Sequence, residues 1–321
     1  MRAIVADHPG PPEVLHPVEL PDPDPGPGQV AVAVTVAAIT FVDTQIRAGT
    51  SQGPTVSFPV VLGNGVGGIV TDIGSDVDPG WIGTEVVAST GGSGGYATRA
   101  LAHVNDLHRV PTGLDLDTAT ALLADGRTAV GLARAARIEA GDTVAITAAA
   151  GGVGSLLLQL AHHADARVVA LAGDERKLAH ARTLDADIAI NYRDTDWPDQ
   201  LTQATPQGLD VVFDGVGGNT TPVLFRHVRS GGRYLPHGAA SGSWGELDNS
   251  TAAERDIIIV PLDVIGASPD DLFRLVEEAL AMSAAGAIHP TIGQTYPMDR
   301  AADAHTAIEA RTALGKTLLS T

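Results

Sequence analysis

The chain has 321 residues, and its 20 Lys plus Arg against 38 Asp plus Glu give a formal net charge of −18. This length predicts about two domains with a sizeable core. The absence of cysteine excludes disulfides, thiolate zinc sites, iron–sulfur clusters and a cysteine nucleophile. The acidic charge, without a basic block, argues against nucleic acid or an anionic membrane as a partner.

The first third of the chain predicts short β-strands joined by turns. The segment 21–28, PDPDPGPG, contains too much proline for a helix or a central strand. Four valines between positions 30 and 36 then alternate with smaller residues, which is the period of a strand. Further strands are predicted at 59–62, 68–73 and 85–88. Frequent turns between short strands predict a barrel-like, mainly antiparallel domain.

From position 117 onward, the pattern changes to strands and helices in alternation. Asp117 or Thr118 is predicted to cap a helix through 119–123. Strands are predicted at 144–147, 167–171, 188–191, 209–214 and 232–236, and helices at 155–164, 175–184 and 221–228. Helices at 269–284 and 299–310 and a strand at 315–319 are predicted to follow. Apolar strands alternating with helices predict a parallel sheet that is covered on both faces.

The clearest motif is a glycine-containing turn between a strand and a helix. The strand DTVAIT is followed by AAAGGVG at 148–154, in which Ala149, Gly151 and Gly154 occupy the three small positions of G-x-G-x-x-G. Small residues let the backbone approach a pyrophosphate, which then lies at the N-terminus of the helix. The motif predicts a dinucleotide site, and a tight turn without a ligand is the alternative.

The end of the following strand bears on the choice between NADPH and NADH. NAD enzymes usually have an acid there for the ribose 2′-hydroxyl, but the strand-end residue is Ala172. Lys177 follows shortly after it, and Tyr192 ends the next strand. A cation and a phenol suit a 2′-phosphate, so we expect NADPH, whereas an Asp174 side chain directed at the ribose would favour NADH.

Several motifs follow one another along most of the chain: PPEVL, FVDxxxRxG at 41–49, GGYA at 94–97, GRTA at 126–129, AAAGGVG, FDGVGG and the closing AHTAIEARTALGKTLL. In this order they resemble the zinc-independent quinone oxidoreductase branch of the medium-chain dehydrogenase/reductase superfamily. The resemblance implies an α/β protein in which a GroES-like, mainly β catalytic domain (1–118) is followed by a doubly wound Rossmann domain (119–265). The segment 266–321 is expected to return to the first domain.

The resemblance also implies NADPH-dependent hydride transfer to a quinone or conjugated enone. The residues expected at the cofactor are Thr128, Ala150, Gly151, Gly152, Val153, Gly154, Lys177, Tyr192, Val216, His237, Gly238, Ala239 and Lys316. Two alternatives stay open: reduction of a carbonyl or oxidation of an alcohol without zinc, and a non-catalytic NADPH-binding regulatory protein.

The positions expected near the substrate depart from those of related proteins. Zinc-using relatives carry a Cys near position 40 and a His–Glu pair near 64–65, where this chain has Thr40, Asn64 and Gly65. We therefore expect no zinc and no Lewis acid. Thr40 and Asn64 are the predicted catalytic residues, and plain backbone capping is the alternative for both.

Partners and location are the last expectations from the sequence. The N-terminal residues lack the apolar core of a signal peptide, which suggests a cytoplasmic protein without a membrane partner. The segment 256–266, DIIIVPLDVIG, is predicted to form an apolar edge strand of the parallel sheet. The resemblance implies a homodimer through that edge. Asp43 and Arg47, four residues apart, are predicted to form a structural ion pair.

Overall fold

The computed structural model describes residues 1–50, 56–266 and 268–321. The strands are β1 (Arg2–Ala6), β2 (Leu15–Glu19), β3 (Gln29–Ile39), β4 (Val60–Val61), β5 (Gly65–Ile73), β6 (Glu85–Ser89), β7 (Arg99–His103), β8 (Leu107–Arg109), β9 (Thr143–Thr147), β10 (Arg167–Ala172), β11 (Ile188–Asn191), β12 (Leu209–Asp214), β13 (Val228–Pro236), β14 (Ile258–Ile259), β15 (Ile292–Pro297) and β16 (Lys316–Ser320). The helices are α1 (Phe41–Ala48), α2 (Leu116–Ala136), α3 (Gly152–His163), α4 (Glu175–Thr183), α5 (Trp197–Ala204), α6 (Thr220–His227), α7 (Asn249–Glu254), α8 (Pro269–Ala284) and α9 (Ala301–Glu309).

The chain divides into two compact units. Unit 1 comprises Met1–Ala124, Ala279–Ala285 and Pro290–Thr321, and unit 2 comprises Asp125–Glu278 and Gly286–His289. The predicted division of labour between a catalytic and a cofactor domain concerns function, and it stays a prediction.

Unit 1 is built on mainly antiparallel strands. In the described residues, β15, β16, β3, β5, β6 and β8 follow one another in one sheet, and β7 pairs with β3. The long strand β3 alternates apolar residues as its valines predict, and Val30, Val32 and Val34 lie in the core of the unit. The C-terminal strand β16 pairs antiparallel with β3, so the end of the chain completes this sheet.

Unit 2 is built on a parallel sheet. Its described strands run in the order β11-β10-β9-β12-β13-β14, and each neighbouring pair is parallel. The strand order reverses its direction between β9 and β12, as in doubly wound folds. β9, β10 and β12 are almost wholly buried and apolar, as expected for strands covered on both faces. The structure therefore has the predicted α/β class, with one mainly β unit and one parallel α/β unit.

Three local predictions are wrong. The helix predicted at 119–123 begins at Leu116, and Asp115 caps it by accepting hydrogen bonds from the Thr118 N–H and hydroxyl. The predicted edge strand at 256–266 is reduced to β14. Arg47 forms its ion pair with Glu309 rather than with Asp43, because the Asp43 carboxylate is used by Thr40. No described helix combines the length and apolar composition needed to cross a bilayer.

The buried His305 predicts a pH dependence of stability. Its ring is fully buried in unit 1, with Nε2 3.1 Å from the Tyr96 hydroxyl, and burial, followed by the charge of Arg47, lowers its pKa to about 3. An unfolded histidine titrates near about 6.5. Between these pH values the unfolded chain binds a proton that the folded chain does not, so stability present above about pH 6.5 is lost as the pH falls.

We expect this residue alone to remove about 1.4 kcal/mol of unfolding free energy per pH unit below about 6.5. Unfolding midpoints of the wild type and His305→Gln between about pH 7.5 and about pH 5 test this expectation. The variant should lose stability less steeply, because the Gln side chain can form a hydrogen bond with Tyr96 without titrating. The control is the exposed His8→Gln, and equal slopes for all three proteins would contradict the prediction.

Candidate functional site

The sheet of unit 2 brings most of the predicted cofactor residues to one edge. Carboxyl ends of parallel strands meet at the same edge, and ligands bind there in open α/β sheets. The residues that follow the strands at this edge are Ala150–Gly154 after β9, Lys177 after β10, Tyr192 after β11, Val216 after β12, and His237, Gly238 and Ala239 after β13. Thr128 lies half-buried in α2 of the same unit, whereas Lys316 begins β16 in unit 1 and is buried there.

The turn between β9 and α3 leaves little room for a side chain at two of its glycines. A Cβ on Gly154 would lie 2.3 Å from the carbonyl oxygen of Ala148, and a Cβ on Gly152 would lie 1.9 Å from Oδ2 of Asp125. Gly151 occupies the N-cap position of α3 and supplies no side-chain cap in the described structure. The close approach leaves a backbone-lined cradle at the N-terminus of a helix, which is the feature that anions use.

A buried carboxylate organises the loop after β12. Oδ1 of Asp214 accepts hydrogen bonds from the backbone N–H groups of Val216 and Gly217, each at 3.0 Å. Oδ2 accepts from the hydroxyls of Thr221 and Tyr234, each at 2.6 Å. Burial, together with the Asp214 charge, raises the pKa of Tyr234, so its hydroxyl stays a donor. The network fixes the course of the backbone at Val216.

His237 has a buried polar atom without a partner among the described residues. Its backbone N–H donates to the Asp214 carbonyl at 2.8 Å, and its ring lies against Gly215, where a Cβ would be 2.8 Å from Cε1. Burial lowers the pKa of His237 to about 4, so the ring is neutral near pH 7, and Nε2 is the unpartnered atom. An orphaned ring nitrogen beside the glycine cradle fits a ligand with hydrogen-bonding groups, so the residues present fit a dinucleotide.

Positive charge gathers after β10. Lys177 lies in the first turn of α4 with its side chain 16% exposed and its Nζ 3.6 Å from Oδ2 of Asp174. Burial lowers the pKa of Lys177, Asp174 opposes this, and Arg193 and Arg176 lower it further. A Cβ at the intervening Gly173 would lie 3.0 Å from the Tyr192 hydroxyl, so the phenol and the cations share one neighbourhood.

The two predicted catalytic residues lie at one end of a strand pair in unit 1. Thr40 follows β3 and caps α1, while Asn64 precedes β5, which is antiparallel to β3 with Ala38 opposite Gly65. Thr40 forms a capping box with Asp43. Burial raises the pKa of Asp43 above its usual value, and the hydrogen bonds from Thr40 oppose this rise only in part. Asn64 is half-buried, and its Oδ1 lies 2.9 Å from Ser89 Oγ.

Comparison with known proteins agrees with this architecture. Residues 26–112 match the family described as alcohol dehydrogenase GroES-like domain, and residues 152–279 match the family described as zinc-binding dehydrogenase. A probable quinone oxidoreductase of Schizosaccharomyces pombe is 30% identical over 296 residues, which cover 88% of this chain and 86% of that protein. The chain belongs to the medium-chain dehydrogenase/reductase superfamily.

Within this superfamily the chain falls in the quinone oxidoreductase branch. Escherichia coli quinone oxidoreductase complexed with NADPH superposes with a TM-score of 0.92 at 27% identity, with both chains fully covered. A 2-haloacrylate reductase from a Burkholderia species is 28% identical over 302 residues, covering 88% of this chain and 87% of that one. The predicted family and the combination of GroES-like and Rossmann folds are confirmed.

One of the two matched families is described as zinc-binding, which raises the question of a metal site in this member of the superfamily. Across residues 1–50, 56–266 and 268–321, no three His, Asp or Glu side chains are grouped so that they could hold a metal ion. The prediction of metal-independent chemistry rests on the residue types at positions 40, 64 and 65, and it stays a prediction.

Sequence reasoning missed several residues that shape the site of this quinone oxidoreductase relative. Asp214 was read only as the end of a strand, although the glycine-rich FDGVGG around it signals a tight loop that needs support. Ser89 and Gly92, which contact Asn64, gave no local signal because both lie more than twenty residues away from it. Asp125, which packs against Gly152, was likewise not singled out.

Proposed function

We propose that this protein is a metal-independent, NADPH-dependent oxidoreductase that transfers hydride to a quinone or a conjugated enone. One observation carries the proposal: a backbone-lined cradle at the N-terminus of α3 stands beside Lys177 and Tyr192 at the ends of the next strands. The quinone oxidoreductase and haloacrylate reductase relatives support the substrate class, because these substrates share a carbon–carbon double bond conjugated to a carbonyl.

The environment of Asp174 supports NADPH over NADH. Its Oδ1 accepts a hydrogen bond from the Lys177 N–H at 2.9 Å, so the carboxylate caps α4. The other oxygen, Oδ2, lies 3.6 Å from the Lys177 Nζ, so both oxygens face α4 and its lysine, which disfavours a role of Asp174 at the 2′-hydroxyl of NADH. The cations of Lys177, Arg176 and Arg193 suit the added 2′-phosphate of NADPH.

When bound, NADPH supplies the hydride, and the protein supplies binding and orientation. The N-terminus of α3 would hold the pyrophosphate, with Lys177 and Tyr192 at the 2′-phosphate. We assign to Thr128, Val216 and the segment 237–239 of unit 2 the task of bordering the rest of the dinucleotide, and the role expected of Lys316 in unit 1 stays a prediction. His237 is neutral near pH 7 and its Nε2 has no partner among the described residues, so it can bond to the ligand without bringing a charge.

Consumption of NADPH with a panel of acceptors tests this function. The panel contains quinones, cyclic and linear enones, 2-haloacrylate, and simple aldehydes and ketones, each with and without a chelator. We expect turnover of quinones or enones that the chelator does not change. Turnover confined to simple carbonyls would replace the proposal with a carbonyl reductase, and tight NADPH binding without any turnover would indicate a regulatory protein.

We also propose that the protein forms a homodimer through the edge of the parallel sheet. β14 ends the strand order of the described sheet, and its Ile258 is 55% exposed. Val264, in the short 3₁₀ turn Leu262–Val264 that follows the strand, is 52% exposed. An apolar sheet edge favours pairing with a second chain, which would bury these groups.

Sedimentation velocity of the wild type and the Ile258→Lys/Val264→Lys variant checks the dimer. We expect a dimeric wild type and a monomeric variant with an almost unchanged unfolding midpoint, because charges at the edge oppose strand pairing without disturbing the core. Ile82→Lys is the matched control, since Ile82 is 54% exposed in unit 1. A monomeric wild type, or an equal effect of the control, would contradict the assignment.

A further inference from the structure

We infer that the side-chain amide of Asn64 donates the hydrogen bond to the carbonyl oxygen of the substrate, and that Ser89 and the backbone N–H of Gly92 position it. The inference rests on the proposed reduction of a quinone or enone. The two predicted catalytic residues then have different roles: Asn64 is the hydrogen-bond donor to the substrate, and Thr40 is the cap of α1.

The orientation of the Asn64 amide follows from its neighbours. The N–H of Gly92 points at one terminal atom of the amide from 2.6 Å. A backbone N–H can only donate, so that atom must be the oxygen Oδ1 and the other must be the nitrogen. Ser89 Oγ donates to the same oxygen at 2.9 Å. Two donors on the oxygen therefore leave the NH₂ group directed away from both of them.

The turn that provides the Gly92 donor depends on glycine. Gly91 and Gly92 have φ values of +78° and +111°, and the space at their Cβ positions is open. The limit at this turn is therefore backbone conformation rather than crowding, since side chains strongly disfavour these φ values. The GGSGG segment at 91–95, which resembles no helix or strand pattern, thus has a use in holding Asn64.

The Asn64 nitrogen is left available to a ligand. Nδ2 makes no hydrogen bond to the residues that the structure describes, and it is not among their buried unpartnered atoms. A half-buried amide with its oxygen held and its nitrogen accessible is a preoriented donor, which needs no reorganisation when charge develops on a nearby oxygen.

Thr40, in contrast, has no hydrogen to spare. Its hydroxyl has one proton, which it donates to Oδ2 of Asp43 at 2.8 Å. The same hydroxyl oxygen accepts the Asp43 N–H at 3.3 Å, and the Thr40 N–H donates to Oδ2 of Asp43 at 2.7 Å. Donation to a substrate would break the capping box, so Thr40 supports α1 rather than the reacting oxygen.

The surroundings of Asn64 suit a flat apolar molecule with a carbonyl. Phe41 and Val42 follow Thr40 at the same end of the β3–β5 pair, and they are 40% and 44% exposed. Ligand sites commonly combine an apolar surface with a few placed polar groups. Exposed apolar side chains near a single oriented donor match a quinone or enone better than a charged or sugar-like substrate.

The donor acts on the charge that the reaction creates. As hydride adds to the β-carbon of the substrate, the carbon–carbon π pair shifts to form an enolate and the carbonyl π pair moves to the oxygen. The dinucleotide is oxidised by two electrons, and water supplies the proton that completes the reduced product. The hydrogen bond from the Asn64 amide strengthens as the substrate oxygen becomes negative. Loss of this hydrogen bond should therefore lower kcat more than it raises KM.

Asn64→Asp tests the inference directly. Asp keeps both oxygen contacts, with Gly92 and Ser89, but cannot donate when ionised and brings a negative charge. We expect kcat to fall about 100-fold, with the NADPH dissociation constant within about twofold of the wild type and the unfolding midpoint unchanged. Asn105→Asp is the matched control, because Asn105 is exposed in unit 1 and receives the same change of charge.

Ser89 is tested as a positioning residue. Ser89→Ala should lower kcat about 10-fold with little change in KM, since the amide then has only the Gly92 donor to hold it. Ser89→Thr retains the hydroxyl and should restore most of the activity. A purely structural role would instead lower the unfolding midpoint of Ser89→Ala without a split between kcat and KM, and that result would overturn this part of the inference.

A readout without turnover separates this inference from the proposed function. Nitrophenolate mimics the enolate oxygen, and its colour reports whether the bound form is ionised. We expect the wild type to bind the phenolate form in preference, and Asn64→Asp to bind it at least about 10-fold more weakly. If the wild type prefers the phenolate form but reduces no quinone or enone, Asn64 is retained as the donor and the proposed reaction is rejected. Equal binding by both proteins, or wild-type kcat in Asn64→Asp, would overturn the inference.

Discussion

Replacing Lys177 by alanine is expected to raise the dissociation constant of NADPH about 10- to 100-fold while leaving that of NADH within about twofold. Hydrogen bonds to charged groups contribute about 1.5–3 kcal/mol, and about 1.4 kcal/mol corresponds to a factor of ten. The side chain is only 16% exposed, so its charge is incompletely screened by water. NADH lacks the 2′-phosphate and therefore loses nothing from this change.

Fluorescence titrations of both dinucleotides measure this effect. Arg182→Ala is the matched control, because Arg182 lies on the same helix, is 48% exposed and pairs with Glu175. Its loss removes the same charge from an exposed ion pair with Glu175, and it should change neither constant by more than about twofold. An unchanged NADPH constant in Lys177→Ala would refute the assignment of NADPH to this site.

A single methyl group at Gly154 is expected to damage both stability and binding. The new Cβ would lie 2.3 Å from the Ala148 carbonyl oxygen and 2.9 Å from Cα of Ala149, and neither backbone atom can rotate away as a side chain can. Gly154→Ala should therefore cost about 1–3 kcal/mol of unfolding free energy. The displaced turn should weaken NADPH and NADH alike, because both present a pyrophosphate to the N-terminus of α3.

Two alanine variants serve as controls for this result. Gly151→Ala stands in the same turn, but its Cβ would meet only the Ala148 oxygen, at 3.1 Å. It should keep the unfolding midpoint while weakening the dinucleotides, since it narrows the cradle itself. Gly26→Ala would meet only the flexible Gln29 side chain in unit 1 and should change neither quantity. Wild-type midpoint and affinity in Gly154→Ala would contradict the close approach at the turn.

Elements with a strong local pattern were predicted almost residue by residue. β12 and α8 have the predicted ends, 209–214 and 269–284. Buried apolar strands and a long amphipathic helix carry their period in the sequence. The glycine turn before α3 was also placed correctly, because conformational and steric demands at such a turn restrict the residue types that can stand there.

Elements that depend on distant partners escaped prediction. β15, IGQTYP, has alternating half-buried and exposed residues without an apolar run, and it becomes a strand by pairing with β16. The helices α5 and α7 have only eight and six residues, which is too short for a sustained periodic pattern in the sequence. The predicted caps of α2, Asp117 and Thr118, are wrong because the earlier Asp115 can cap equally well, and only the geometry shows that Asp115 receives the Thr118 N–H.

Most buried strands and longer helices, the glycine turn at 148–154 and the lack of thiolate chemistry follow from the amino-acid sequence, because each depends on neighbouring residues or on residue type alone. Which polar groups meet is known only from the tertiary structure. Asn64 receives Ser89 and Gly92 across 25 and 28 positions, and Arg47 reaches Glu309 across 262. Such contacts arise from strand pairing and packing between distant segments, and a hydrogen bond is defined by distances and angles that no local pattern of residues specifies.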